Sequence, residues 1–151
     1  MKTRALLLVP LTLLLSACPG PDEEAREELP LPPAPAALEG EIQGRIGVAE
    51  AGDGWQVCGF RVEGGQGDCS AIDGPAYSLH LPEGRYHVLA FGPAGEVGAH
   101  TASTTCLRDG GVDCSDGALL EVDVVAGTSV PAIDVLDFTN ARPEWPERPV
   151  R

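Results

Sequence analysis

Apolar and polar residues alternate in short blocks along most of this chain. Glycine, proline and aspartate separate the blocks, and a period of two is that of a half-buried strand. The candidate strands are "EIQGRIGVA" (41–49), "WQVCGFRV" (55–62), "AYSLHL" (76–81), "RYHVLAF" (85–91), "VGAHTASTTC" (97–106), "ALLEVDVV" (118–125) and "AIDVLDF" (132–138). No segment reads as a long amphipathic helix. About seven short strands broken by turn signals predict an all-β domain, an antiparallel β-sandwich over residues 39–138. The sharpest hairpin signal is "YSLHLPEGRYHVLA". A two-residue turn at Glu83-Gly84 would set Leu81 opposite Tyr86, Leu79 opposite Val88 and Tyr77 opposite Ala90, all on a core face.

The opening "GEIQGRI", the "DGPAYSLHLPEGRYHVLAF" stretch and the closing "VVAGTSVPAIDVLD" resemble the carboxypeptidase regulatory-like domains of the transthyretin-like group. Asp73-Gly74 and Tyr77 match the lead-in, and Pro82 to Tyr86 match a Leu-Pro-x-Gly-x-Tyr turn. The resemblance covers most of residues 40–138 and implies a small seven-stranded sandwich with no activity attached. The chain departs from that group in carrying four cysteines within the domain.

Ahead of the domain, Lys2 and Arg4 precede an apolar run of about 11 residues, Ala5 to Leu15, too short to span a bilayer. Leu15-Ser16-Ala17-Cys18 is similar to a bacterial lipobox. Residues 1–17 are then a signal peptide, and Cys18 becomes the lipidated, palmitate-bearing first residue of the mature chain, its membrane anchor. From Pro19 to Leu38 there are six prolines and five acids against one arginine. This composition predicts a disordered tether with polyproline II character, spanning residues 18–38 with the lipidated cysteine. Pro19 in place of an aspartate favours the outer membrane of a Gram-negative envelope, facing the periplasm or the cell surface. Loss of the two positive charges Lys2 and Arg4 takes the formal charge from −13 to −15. Such a surface repels phosphates, which excludes nucleic acid as an expected partner.

With Cys18 acylated, an even number of cysteines is left for an oxidising compartment, which predicts two disulfides. Of three connectivities, Cys58 with Cys69 and Cys106 with Cys114 is expected, because each pair flanks a polar, glycine-rich loop. A four-thiolate zinc site lacks any Cys-x-x-Cys pair. In the hairpin register above, His80 and His87 would oppose one another on the outer face, a pair of ligands for zinc or copper. His100, among Thr and Ser, is expected to be exposed. Asp109, Asp113 and Asp116 in "RDGGVDCSDG" suit calcium by chemistry but lack the EF-hand order and its closing glutamate. A solvated acidic turn is the plainer expectation, and no metal or other cofactor is assigned.

Catalytic signals are few. There is no Gly-x-Ser-x-Gly, no phosphate-binding glycine loop, and no C-terminal Tyr-Arg-Gly-Ser signature of the purine-catabolic hydrolase in the transthyretin-like group. The expectation is a noncatalytic, lipid-anchored envelope lipoprotein, a binding or structural module. A metal-binding envelope protein is the alternative, and a carbohydrate-binding module ranks behind both, because two Trp, two Tyr and three Phe are few for an exposed aromatic platform. In the 139–151 tail "ARPEWPERPVR", prolines recur every three residues, the polyproline II period. That repeat sets Arg142, Trp145 and Arg148 on one edge. The stripe either docks on its own domain or receives an envelope protein partner.

Overall fold

A computed structural model describes residues 38–149. The signal peptide, Cys18, the tether through residue 37 and the last two residues lie outside the described part. The described chain is mostly β and forms two sheets. Strands β1 (Glu39–Arg45), β2 (Gln56–Arg61), β3 (Gly67–Ala71), β4 (Ala76–Pro82), β5 (Gly84–Phe91) and β6 (Val97–Ala99) precede one short helix, α1 (Thr104–Arg108). Strands β7 (Val122–Val124) and β8 (Ser129–Val130) follow it. The smaller sheet has the order β4-β1-β8, with β1 antiparallel to β4 and parallel to β8. The larger sheet runs β3-β2-β5-β6, and β7 pairs with the start of β5. β6 and β7 thus share one edge of β5, at opposite ends.

The two sheets meet through one apolar core. Ile42, Leu79 and Leu81 come from the smaller sheet, and Val57, Tyr86, Val88 and Ala90 from the larger. Gly59 marks how closely the layers approach: a Cβ there would meet Leu81 Cδ1 at 2.5 Å. Trp55 and Phe138 close one end of the core edge to face, with ring centroids 5.9 Å apart.

The expected Tyr77–Ala90 hairpin is not formed. β4 pairs with β1, with Leu79 opposite Ile42 and His80 opposite Glu41. β5 pairs with β2, with Val88 opposite Gly59 and His87 opposite Phe60. "LPEGRY" is therefore a corner that carries the chain from one sheet to the other. The six residues of the expected register are all buried, facing one another across the core instead of along a hairpin. Alternation shows which side chains turn inward but not which strand lies beside them, so it could not separate a hairpin from a corner. The corner is held by Tyr86, whose hydroxyl donates to the Pro82 carbonyl (2.8 Å). That hydroxyl also accepts from Arg61 Nη2 (2.9 Å), and the Arg61 guanidinium lies 5.2 Å from the ring centroid.

Three other expectations change. Gly67–Ala71, read as loop, is a strand, because Cys69 lies directly opposite Cys58 and the bridge joins neighbouring strands. The stretch 97–106 is a strand only as far as Ala99; a turn follows, then α1. The stretch 132–138 is not a continuous strand. Ala132 has φ of 61°, and beyond it the chain crosses between sheets, bridging Ile46 through Val135 and Ala99 through Asp137.

Replacing Tyr86 by Phe removes the corner's hydrogen bonds while keeping the ring. It is expected to cost about 1 to 2 kcal/mol of unfolding free energy, read as a lower urea midpoint at unchanged slope.

Candidate functional site

The larger sheet is apolar on both faces at its centre. Along β2 and β5, Val57, Tyr86, Val88 and Ala90 point into the main core, whereas Cys58, Phe60, Leu89 and Phe91 belong to a second cluster with Ala99. The period of two puts that second set on the opposite face. Its cover is the C-terminal tail. Trp145 is 6% exposed within this cluster, and its indole Nε1 donates to the Gly117 carbonyl (3.0 Å).

The tail is launched by Asp137, which is fully buried. Its Oδ2 accepts from the Thr101 hydroxyl (2.9 Å), and its Oδ1 accepts from the Asn140 amide (3.0 Å), the Asn140 side chain (3.0 Å) and the Thr139 amide (3.2 Å). Buried carboxylates need such donors, and here they also fix the direction in which the chain leaves the sheet. Asn140 Nδ2 also donates to the Cys114 carbonyl (2.9 Å). Arg142 pairs with Asp116 at 3.7 Å. Arg148 donates to Gln56 Oε1 (3.3 Å) and the Gly54 carbonyl (3.2 Å). Of the two uses open to the Arg142, Trp145 and Arg148 stripe, the structure shows docking on its own domain. The threefold repeat is broken, because Trp145 N donates to the Arg142 carbonyl (3.0 Å) and closes a turn over Pro143-Glu144. Gly117 permits the close approach: a Cβ there would meet the Asn140 carbonyl at 2.6 Å.

Two open grooves flank the tail. One, of about 340 Å³, lies between Phe91, Glu96 and Val97 and the tail's Pro143, Trp145 and Arg148. The other, of about 370 Å³, is lined by His87, Leu119, Arg142, Glu144 and Trp145.

Both expected disulfides are present, Cys58–Cys69 and Cys106–Cys114. The proposed histidine pair is not brought together. His80 is on β4 in the smaller sheet, its Nε2 4.0 Å from Glu41, and His87 is on β5 in the larger. Asp109, Asp113 and Asp116 do not gather either: Asp109 caps α1, and Asp116 receives Arg142 and the Ala118 amide. Among the described residues no three His, Cys, Asp or Glu side chains converge as metal ligands. His100 is buried, contrary to expectation. Its Nδ1 lies 2.8 Å from the Asp134 carbonyl, while Arg108 pairs with the Asp134 carboxylate at 3.0 Å. The polar neighbours that suggested exposure, Thr101, Ser103 and Thr104, are themselves buried because their polar groups are satisfied: the Thr101 amide donates to the Thr104 hydroxyl, the Thr101 hydroxyl to Asp137, and Ser103 to the Asp116 carbonyl. Sequence reading missed Asp137, Asn140 and Gly117; an Asp-x-x-Asn following an apolar strand is a local turn signal that would have marked the launch point.

No family model, curated protein or solved structure matches this chain.

Burial holds the His100 pKa below its ordinary value, with the Arg108 charge adding to the effect against the Asp134 carbonyl and carboxylate. Burial also lowers His87, opposed by Glu121. Unfolded histidines, near pH 6.5, bind protons before these folded ones do. Stability is therefore expected to be full above about pH 6.5 and to fall as acidification passes through that value. His100→Asn, which keeps a donor for the Asp134 carbonyl but cannot titrate, should flatten part of the fall in urea midpoint between about pH 7.5 and about pH 5. In the same assay, Trp145→Ala should cost about 3 kcal/mol, as expected for a buried indole and not for a frayed tail.

Proposed function

We propose that this protein is a lipid-anchored, noncatalytic lipoprotein of a Gram-negative cell envelope, with a small β-sandwich that serves as a binding or structural module. The observation that carries this reading is the disposition of the five cysteines. Four are consumed in two disulfides within the domain, which suits an oxidising export compartment. The fifth, Cys18, stands in the lipobox-like Leu15-Ser16-Ala17-Cys18.

The finer fold reading, a sandwich of the carboxypeptidase regulatory-like type, is supported by the two packed sheets and by the turn formed at "LPEGRY", the stretch that carries the resemblance. The noncatalytic reading is supported by the sequence, which has no Gly-x-Ser-x-Gly, and by the two bridges, which leave none of the domain's four cysteines as a free thiol. The attached membrane is the first partner, and the surface around the docked tail is the place for an envelope protein partner.

Cys18→Ser is expected to move the protein from the membrane fraction to the soluble fraction and to abolish labelling by radioactive palmitate. Membrane retention of a variant from which residues 1–17 have been removed, or palmitate incorporation elsewhere in the chain, would overturn the anchor.

A further inference from the structure

The two disulfides differ in what they can reach. Cys58 is fully buried beneath the tail, in the same cluster as Trp145, and its bridge ties β2 to β3. Cys106 is exposed and Cys114 half-buried, on a loop that bulges from the end of α1. Around that second bridge lie most of the tail's polar attachments: the Cys114 carbonyl holds Asn140, the Asp116 carboxylate faces Arg142, and the Gly117 carbonyl holds the Trp145 indole. All three fall within four residues of Cys114. Between α1 and Cys114 the loop's backbone bonds are the three returning from Asp109, Gly110 and Gly111 to the helix. On its far side the segment is held by Ser103, whose amide and hydroxyl both donate to the Asp116 carbonyl (3.1 and 2.8 Å).

We propose that the Cys106–Cys114 disulfide is a redox latch for the C-terminal tail, opened by a dithiol oxidoreductase of the thioredoxin type, and that its opening frees Trp145 and uncovers the apolar outer face of the larger sheet. In the chemical step a partner thiolate attacks the sulfur of Cys106, an exposed residue whose bridge is flanked by Gly111. The S–S bond breaks, Cys114 leaves as the thiolate and takes up a proton, and a mixed disulfide forms. The partner's second thiolate then attacks its own sulfur in that mixed disulfide and releases Cys106. Two electrons and two protons pass to this protein, and the partner is left oxidised. Without the bridge, residues 109–115 lose their covalent closure, the Asp116–Gly117 segment is held only by Ser103 and by the Ala102–Ala118 and Thr101–Leu119 pairing beyond it, and the tail's partners there lose order. The face uncovered is Phe60, Leu89 and Phe91 around the Cys58–Cys69 bridge, of which Cys58 is buried and Cys69 half-buried, so opening the first bridge widens access to the second. This inference concerns the domain and stands whether or not Cys18 carries lipid.

Coupling of this kind is reciprocal: if the closed bridge favours the docked tail, the docked tail favours the closed bridge. The full chain in detergent would be equilibrated over a series of reduced-to-oxidised dithiothreitol ratios. Thiol mapping by mass spectrometry would report each bridge, and hydroxyl-radical footprinting would report the two tryptophans. A range of ratios is expected in which Cys106 and Cys114 are reduced while Cys58–Cys69 is intact. Within it, Trp145 labelling should rise about tenfold while Trp55, equally buried in the main core, stays protected. With its tail contact weakened, Trp145→Ala should have its 106–114 bridge reduced at a ratio about tenfold more oxidising than wild type. The latch is overturned if Trp145 stays shielded after reduction, if Trp55 becomes labelled together with it, if Cys58–Cys69 is reduced first, or if Trp145→Ala leaves the ratio unchanged.

Discussion

Strands β2 and β5 are apolar on both faces, and each face needs its own cover. The smaller sheet covers one face through Ile42, Leu79 and Leu81. Among the described residues the other face is covered by the Trp145 indole of an irregular tail, with Val97 and Leu119 packed against the same cluster. Burying an aromatic side chain of that size removes roughly 200 Å² from water, a gross gain of about 5 kcal/mol before the ordering of the tail is counted. Ordering several residues costs energy of the same order. The tail therefore stays down because polar attachments add to the indole, with those of Asn140, Arg142 and Trp145 on residues 114–117 and those of Arg148 on Gln56 and Gly54.

Asp137 joins the two halves of this arrangement. Its backbone pairs with Ala99 at the edge of the larger sheet, and its carboxylate gathers Thr101, Thr139 and Asn140. One buried charge thereby couples the end of β6, the approach to α1 and the direction of the tail. An apolar residue there would leave Thr101 and the Asn140 amide without their acceptor, so the charge is retained although its desolvation is costly. The same cluster explains why a Thr- and Ser-rich stretch is buried, and burial is also what lowers the pKa of the adjacent His100.

The all-β character, the buried set of the 77–90 segment and both disulfide pairings were legible in the sequence, because each depends on local pattern: side-chain alternation, or loops bounded by cysteines. What was not legible is relational. Leu81 and Tyr86 are buried in a hairpin and across a corner alike, and only the backbone partners distinguish the two. The metal candidate fell with that register, since His80 and His87 could share an ion only as cross-strand neighbours. The second core was in fact signalled: "VLAF" in β5 and "VCGF" in β2 are runs, not alternations, and runs belong to strands covered on both faces. Reading them as half-buried strands removed the demand for a cover, and with it the strongest reason to seat Trp145.

Charge completes the picture of what the domain can meet. The described arginines are mostly engaged at home: Arg61 with Tyr86, Arg85 with Glu63 and Glu121, Arg108 with Asp134, Arg142 with Asp116 and Glu144, and Arg148 with Gln56 and the Gly54 carbonyl. Surface pairs of this kind add little to stability, on the order of a few tenths of a kcal/mol each, but they cancel most of the cationic surface that the sequence offers. What remains facing water is acidic. On the proposed anchoring, such a domain is repelled by anionic headgroups while the lipid on Cys18 holds it near them, and an extended tether of about 20 residues would let it stand several Debye lengths away. Attraction to an acidic partner then requires the arginines to leave their present sites. Arg142, paired with Asp116 beside the Cys106–Cys114 loop, and Arg148, held at Gln56 and Gly54, both sit on the tail, so the proposed release that uncovers the apolar face would also expose positive charge beside it.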